Sequence, residues 1–243
     1  MDLGIAGRRA LVCGASRGLG FACAAALARE GVTVTLAARN GEALAKAAAS
    51  IGADARWVVA DVATAAGREA ALAACPEPDI LVTNAGGPPG GDFRSLTHAQ
   101  WLAALEANCL SAVELIRVTV DPMIARGFGR IVNVTSLTVR MPVARLDLST
   151  AARLALTGYV AGVSRQIAGH NVTINNLLPG TIMTERIREL GETAQQLIAK
   201  VPAGRAGLPE EFGAACAFLC SASAGYITGQ NLLLDGGLCP ITV

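Results

Sequence analysis

The chain has 243 residues, 52% of them hydrophobic but only 4% aromatic, so its core must be built mostly from Ala, Val, Leu and Ile. That length fits one large α/β domain with a sizeable core. A formal net charge of +1, with basic and acidic residues interspersed, gives no reason to expect nucleic acid or an anionic membrane as a partner.

Short β-rich apolar runs alternate with Ala/Leu-rich helical segments from end to end. The predicted strands are Ala10–Cys13, Val32–Ala37, Ala55–Val59, Ile80–Thr83, Ile131–Val134, Thr173–Leu178 and Asn231–Leu234. Strands alternating with helices point to a single-domain, doubly wound parallel sheet of seven strands, with helices on both faces. No Pro/Gly/Ser linker or repeat divides residues 1–243.

The first strand runs into Gly14-Ala15-Ser16-Arg17-Gly18-Leu19-Gly20, which opens a helix. Gly14 suits a tight turn, Gly18 lets the backbone approach a pyrophosphate, and Gly20 allows close helix packing. Free N–H groups and the helix dipole then favour phosphate. Arg29-Glu30-Gly31 marks the helix stop. At the end of the second strand an NAD enzyme would place a carboxylate against the ribose 2′-hydroxyl, but here stand Ala37-Ala38-Arg39-Asn40. Arg39, with Arg17 as second cation, suits a 2′-phosphate because a guanidinium fork matches phosphate oxygens. The expected cofactor is NADPH/NADP+.

Further along, Gly86-Gly87-Pro88-Pro89-Gly90-Gly91 reads either as a rigid substrate-pocket wall or as a tight loop. Asn108 falls in the helical segment Trp101–Val118, and Ser136 ends the strand before it. His98, at a helix cap beside Thr97, and His170, in a turn, read as ordinary loop residues. The helix predicted over Thr150–Ala168 is apolar around its circumference, including Leu154, Ala155, Tyr159 and Ala161. A helix covering one sheet face needs only one apolar stripe, so the outer face suggests a subunit contact. Asn133-Val134-Thr135 and Asn171-Val172-Thr173 read as chance matches to a glycosylation acceptor.

Seven cysteines without Cys-x-x-Cys spacing argue against a disulfide framework and for a reducing compartment. Cys216 and Cys220 share a helical face and read as small core residues; no metal site is expected. Met1 to Ala10 lacks the apolar run of a signal peptide. The charge-free stretch Phe212–Leu234 is broken by Ser221, Gly225 and Gly229 and reads as helix, turn and strand. The expectation is a soluble, cytoplasmic protein.

Taken in order, the glycine pattern, Asp61-Val62, Thr83-Asn84-Ala85-Gly86, Ser136, Pro179-Gly180-Thr181-Ile182-Met183-Thr184 and Asp235-Gly236-Gly237 resemble the short-chain dehydrogenase/reductase family over nearly the whole chain. The resemblance implies a Rossmann-like fold. It also implies adenine contacts at Asp61 and Val62, cofactor contacts at Asn84, Ala85 and Gly86, and nicotinamide contacts through Pro179, Gly180, Ile182 and Thr184. In the family, serine and tyrosine hydroxyls bind a substrate carbonyl, lysine lowers the tyrosine pKa and holds the ribose, and asparagine supports a water relay. Ser136 and Asn108 match two of those roles, whereas Ser149 and Arg153 stand where tyrosine and lysine are expected. The replacement resembles a divergent branch of 3-oxoacyl-[acyl-carrier-protein] reductase-like proteins.

A serine hydroxyl is a far weaker acid than a phenol; Arg153 can still grip the cofactor's ribose hydroxyls and supply positive charge, but it does not give up its proton at ordinary pH. A positioned general acid supplies about 10²–10⁴ in rate, while aligned approach of reactants supplies about 7–11 kcal/mol. Losing the phenol would therefore slow ketone reduction without abolishing hydride transfer. Water, a substrate group, Asp147 or Arg145 could take its place. The leading expectation is an NADPH-dependent reductase acting on a small-molecule or acyl-thioester substrate, as a homodimer or homotetramer. Reduction of an activated C=C or an imine, and a non-catalytic NADP-binding regulator, are the alternatives.

Overall fold

The computed structural model describes residues 2–240. Seven strands form one parallel sheet in the order β3-β2-β1-β4-β5-β6-β7, with β1 Arg9–Cys13, β2 Thr33–Ala38, β3 Arg56–Val59, β4 Ile80–Thr83, β5 Gly129–Val134, β6 Val172–Pro179 and β7 Asn231–Leu234. Each predicted strand is present, displaced by two residues at most at either end. Alternation makes the two faces. Ala10 and Val12 of β1 enter one core cluster, while Leu11 and Cys13 enter the other.

The first cluster is covered by α1 Gly18–Arg29, α2 Gly41–Ile51 and α9 Pro209–Leu219. Cys216 and Cys220 are buried in it as free thiols, in keeping with their reading as core residues, and Cys23 joins them there. The second lies under α3 Ala65–Ala74, α5 Ser111–Ala125 and α6 Asp147–Ile167, with Leu115, Leu156 and Val160 at its centre. The order of strands reverses between β1 and β4, which opens the crevice where ligands bind in such sheets. Gly31 stops α1 as expected, with φ +76° and its N–H bonded to Ala28 O.

Two helices depart from expectation. The segment expected as one helix around Asn108 is α4 His98–Leu105, a π-helical turn Glu106–Leu110, then α5. Asn108 Nδ2 donates to Ala104 O at 3.4 Å and Ser111 Oγ to Ala107 O at 2.8 Å, and such side chains compete with the backbone ladder. The other departure is α6, which begins at Asp147 rather than near Thr150. Arg145 in the left-handed region (φ +67°) ends the preceding turn, and Asp147 sits where the helix dipole favours an anion. Among the described residues no helix is long and apolar enough to cross a membrane.

Candidate active site

The C-terminal ends of β1, β4 and β6 carry the glycine loop and its neighbours. Arg17 is the N-cap of α1 and makes no side-chain cap, so the first-turn N–H groups stay unsatisfied. Gly14, with φ +59°, lies against Asn84, whose Nδ2 donates to Gly14 O at 3.3 Å. A Cβ at Gly14 would stand 2.6 Å from that nitrogen, and one at Gly20 would collide with Gly14 O. Both glycines are thus demanded by close backbone approach, which leaves a concave cradle that side chains would fill. Burial pushes the Cys13 thiol beneath the loop up to about 12, so it is inert.

Ser16 and Leu19 are half-buried in the loop, and Thr184 faces Gly18 across the cleft. Asp61 folds back to accept from Ala63 N at 3.1 Å, with Val62 buried behind it. Ala85 and Gly86 continue from Asn84. Pro179 ends β6 and Gly180 follows it, with Gly180 N donating to Leu234 O at 2.9 Å, and buried Ile182 is bridged to Gly207.

Arg39 is exposed at the end of β2 and has neither ion pair nor hydrogen bond among the described residues. Arg17 differs. Its Nη1 bonds Glu185 Oε2 at 2.7 Å, tying the glycine loop to α7 Glu185–Arg188. Both side chains are well exposed, so the pair is worth little and can exchange for another anion.

Val62, Asn84, Ala85, Asn108, Ser111 and Leu156 share one cleft. Ser136, half-buried after β5, uses its oxygen to accept from Thr138 N at 3.2 Å, which leaves its hydroxyl proton free. Ser149 and Arg153 sit one turn apart on the buried face of α6. Arg153 Nη1 donates to Ser149 Oγ at 2.6 Å, and Nε donates to the carbonyl of Thr135, next to Ser136, at 3.1 Å. Thr135 thereby couples three of the four expected site residues, a role for a carbonyl that residue type cannot disclose.

Arg153 is 7% exposed and has no carboxylate partner among the described residues. Burial, with the charge of Arg186 adding to it, lowers its pKa from the ordinary arginine value to about 10. It remains a cation at neutral pH. A serine that accepts from a cation can turn its own O–H outward and donates more strongly for it. Asp147 and Arg145 are exposed at the rim rather than beside Ser149. Sequence reasoning passed over Arg186; its only signal was a cation two positions after Thr184.

A family profile described as enoyl-(acyl carrier protein) reductase matches residues 14–239. The 3-oxoacyl-[acyl-carrier-protein] reductase of Vibrio cholerae is 33% identical over 241 residues, covering 97% of this chain and 99% of that one. Among solved structures, the L-sorbose reductase of Gluconobacter frateurii, complexed with NADPH and L-sorbose, superposes with a TM-score of 0.92 at 30% identity, covering 99% of this chain and 100% of that one. A 3-oxoacyl-(acyl-carrier-protein) reductase of Agrobacterium tumefaciens with NADP bound gives 0.90 at 31%, covering 97% and 95%.

Proposed function

The chain belongs to the short-chain dehydrogenase/reductase family, and on that premise we propose that it is an NADPH-dependent reductase resembling the 3-oxoacyl-[acyl-carrier-protein] reductases, with Ser149 and Arg153 in place of the usual acid apparatus. The observation that carries this reading is the buried Arg153–Ser149 hydrogen bond, anchored on Thr135 beside Ser136. A mere remnant of a site would not need a buried cation held by two bonds.

The glycine cradle fits a dinucleotide. The α1 N-terminus takes the pyrophosphate, Arg39 the 2′-phosphate, and Asn84 holds the loop in shape. When held there, NADPH would supply the hydride for the substrate carbon. Ser136 and Ser149 hydroxyls then donate to the oxygen that gains charge, and Arg153 stabilises that charge without surrendering its proton. The final proton comes from water, and Asn108, which lines a cleft with Asn84 and Ser111, is the residue placed to hold it. The residues of Asp61–Val62 and Thr184 close the adenine and nicotinamide ends respectively.

A second reading has an observation of its own. A fixed cation without a good acid suits charge that develops on an enolate, which favours reduction of an activated C=C alongside C=O. We also place the protein in the cytoplasm as a homo-oligomer. Support comes from the exposed Leu154, Ala155, Gly158 and Ala161 on the outer face of α6 and from seven cysteines that are all free.

The test is a screen of ketones, 3-oxo esters, enones and imines for NADPH oxidation, with Ser149→Ala in parallel. Turnover that falls at least about tenfold in Ser149→Ala is expected. Tight NADPH binding with no turnover on any class would reject the reductase in favour of a nucleotide-binding regulator.

A further inference from the structure

The two cations expected at the cofactor's 2′-phosphate stand in different states. Arg39 has neither ion pair nor hydrogen bond among the described residues, whereas Arg17 Nη1 donates to Glu185 Oε2 at 2.7 Å. The two partners are 168 positions apart, so only the fold brings them together. Glu185 opens α7, the single turn that follows Thr184.

That turn touches both walls of the crevice where the strand order reverses. On the β1 side, a Cβ at Gly18 would lie 3.7 Å from Thr184 Cγ2. On the β4 side, one at Gly87 would lie 3.0 Å from Arg186 Nη1. Glu185 is thus a carboxylate carried at the mouth of the cleft, with its charge on an arginine that a 2′-phosphate would need.

The side chains of Arg17 and Glu185 are 72% and 59% exposed, so their pair is weak, and a doubly charged phosphate displaces the carboxylate. A tethered carboxylate never diffuses away, however, and it competes at every encounter. Once displaced it has another partner at hand. Arg188 lies three residues further along α7, has no ion pair among the described residues, and is a helical neighbour of Glu185.

We propose that Glu185 is an intramolecular competitor of the cofactor's 2′-phosphate, holding Arg17 in the empty cleft and reclaiming it as the cofactor departs. NADH lacks that phosphate and binds with the Arg17–Glu185 pair intact. Glu185 therefore weakens NADPH but not NADH, and it sets how strongly the protein prefers one over the other. The inference rests on the assignment of the 2′-phosphate to Arg39 and Arg17. The rival account is that Glu185 merely repels the pyrophosphate, which both cofactors carry.

The experiment is a fluorescence titration of NADPH and NADH into the full-length protein and its variants. Glu185→Gln keeps the size of an exposed side chain and removes its charge. It is expected to tighten NADPH about two- to fivefold, the range that an exposed pair supports, and to leave the Kd for NADH unchanged. In an Arg17→Ala background the same substitution should have no effect, because the contested cation is gone. Equal tightening of NADPH and NADH would overturn the proposal in favour of simple repulsion. A gain that persists in Arg17→Ala overturns it too, as does an unchanged Kd for NADPH in Glu185→Gln. Equal affinities of the native protein for the two cofactors would instead sink the 2′-phosphate assignment itself, and the competitor role with it.

Discussion

Among the described residues two arginines are buried, at opposite ends of the sheet, and neither has a carboxylate partner there. Arg130, 1% exposed at the start of β5, spends its whole fork. Nε donates to Ser221 O at 3.0 Å, Nη1 to Gly129 O and Asn171 O at 2.8 Å each, and Nη2 to Asn171 Oδ1 at 3.1 Å. Its guanidinium also stacks on Phe128, 4.4 Å from the ring centroid, with Arg8 at 3.9 Å from the same centroid. Arg153, at the other end, is held by two bonds, and its Nη2 has no protein partner among the described residues. Burial lowers the pKa of both, yet the protein satisfies every nitrogen of one fork and only two of the other. The lesson is that burial alone does not mark a functional charge. What distinguishes it is an unfinished set of hydrogen bonds.

The comparison breaks most sharply in stability. Arg130→Met should cost roughly 3–5 kcal/mol, because it strands the carbonyls of Gly129, Asn171 and Ser221 in the interior. Urea denaturation reads it, and turnover per folded molecule should stay at the native level. A loss under 1 kcal/mol would show that Arg130 is not needed to satisfy those groups.

Arg153→Met should do the opposite, cutting turnover about a hundredfold while stability holds or rises by about 1 kcal/mol. Steady-state kinetics and the same urea series check both halves. Destabilisation as large as that of Arg130→Met would place the two arginines in one structural class. Ser149→Tyr with Arg153→Lys should raise the rate on neutral 3-oxo esters, by restoring a phenol beside Ser136.

Arg39→Ala should weaken NADPH at least about tenfold and leave NADH unchanged, since Arg39 is the unpaired cation at the end of β2. Arg17→Ala should do less, because Arg17 must first leave Glu185. Fluorescence titration of both cofactors decides it; equal losses for NADPH and NADH would remove the 2′-phosphate from the account.

The smallest effect is in the pH dependence. Burial holds the folded pKa of Arg153 at about 10, well below the ordinary arginine value of the unfolded chain, so between the two the unfolded chain binds more protons. Its contribution therefore rises with pH in that window, and its burial penalty is fully present below pH 10. The stability difference between Arg153→Met and the native protein should accordingly narrow above about pH 10. Urea midpoints at pH 8 and above pH 10 measure it, and a difference that widens with pH has the wrong sign.

Strands were legible because their apolar runs are bounded by turn residues and belong to short parallel elements. The tight glycine turn was legible because Gly14 and Gly20 answer to local backbone approach, which spacing records. The start of α6 was read late because Arg145 adopts a positive φ that its side chain does not advertise. The π-helical turn at Asn108 also escaped notice, since one extra backbone residue leaves the apolar period nearly unchanged over so short a segment.

From sequence alone came the alternation of strands and helices, the glycine turn after β1, the missing acid after β2 and the presence of Ser149 and Arg153, all of which are local in the chain or reside in residue identity. Only the tertiary structure decided that Thr135 offers a carbonyl to Arg153, that Arg17 pairs with Glu185, and that Arg186 crosses to Gly87. Those contacts join residues from separate elements. Whether a cation finds a partner depends on distance and burial in the folded chain, and neither is encoded in the identity of any one residue.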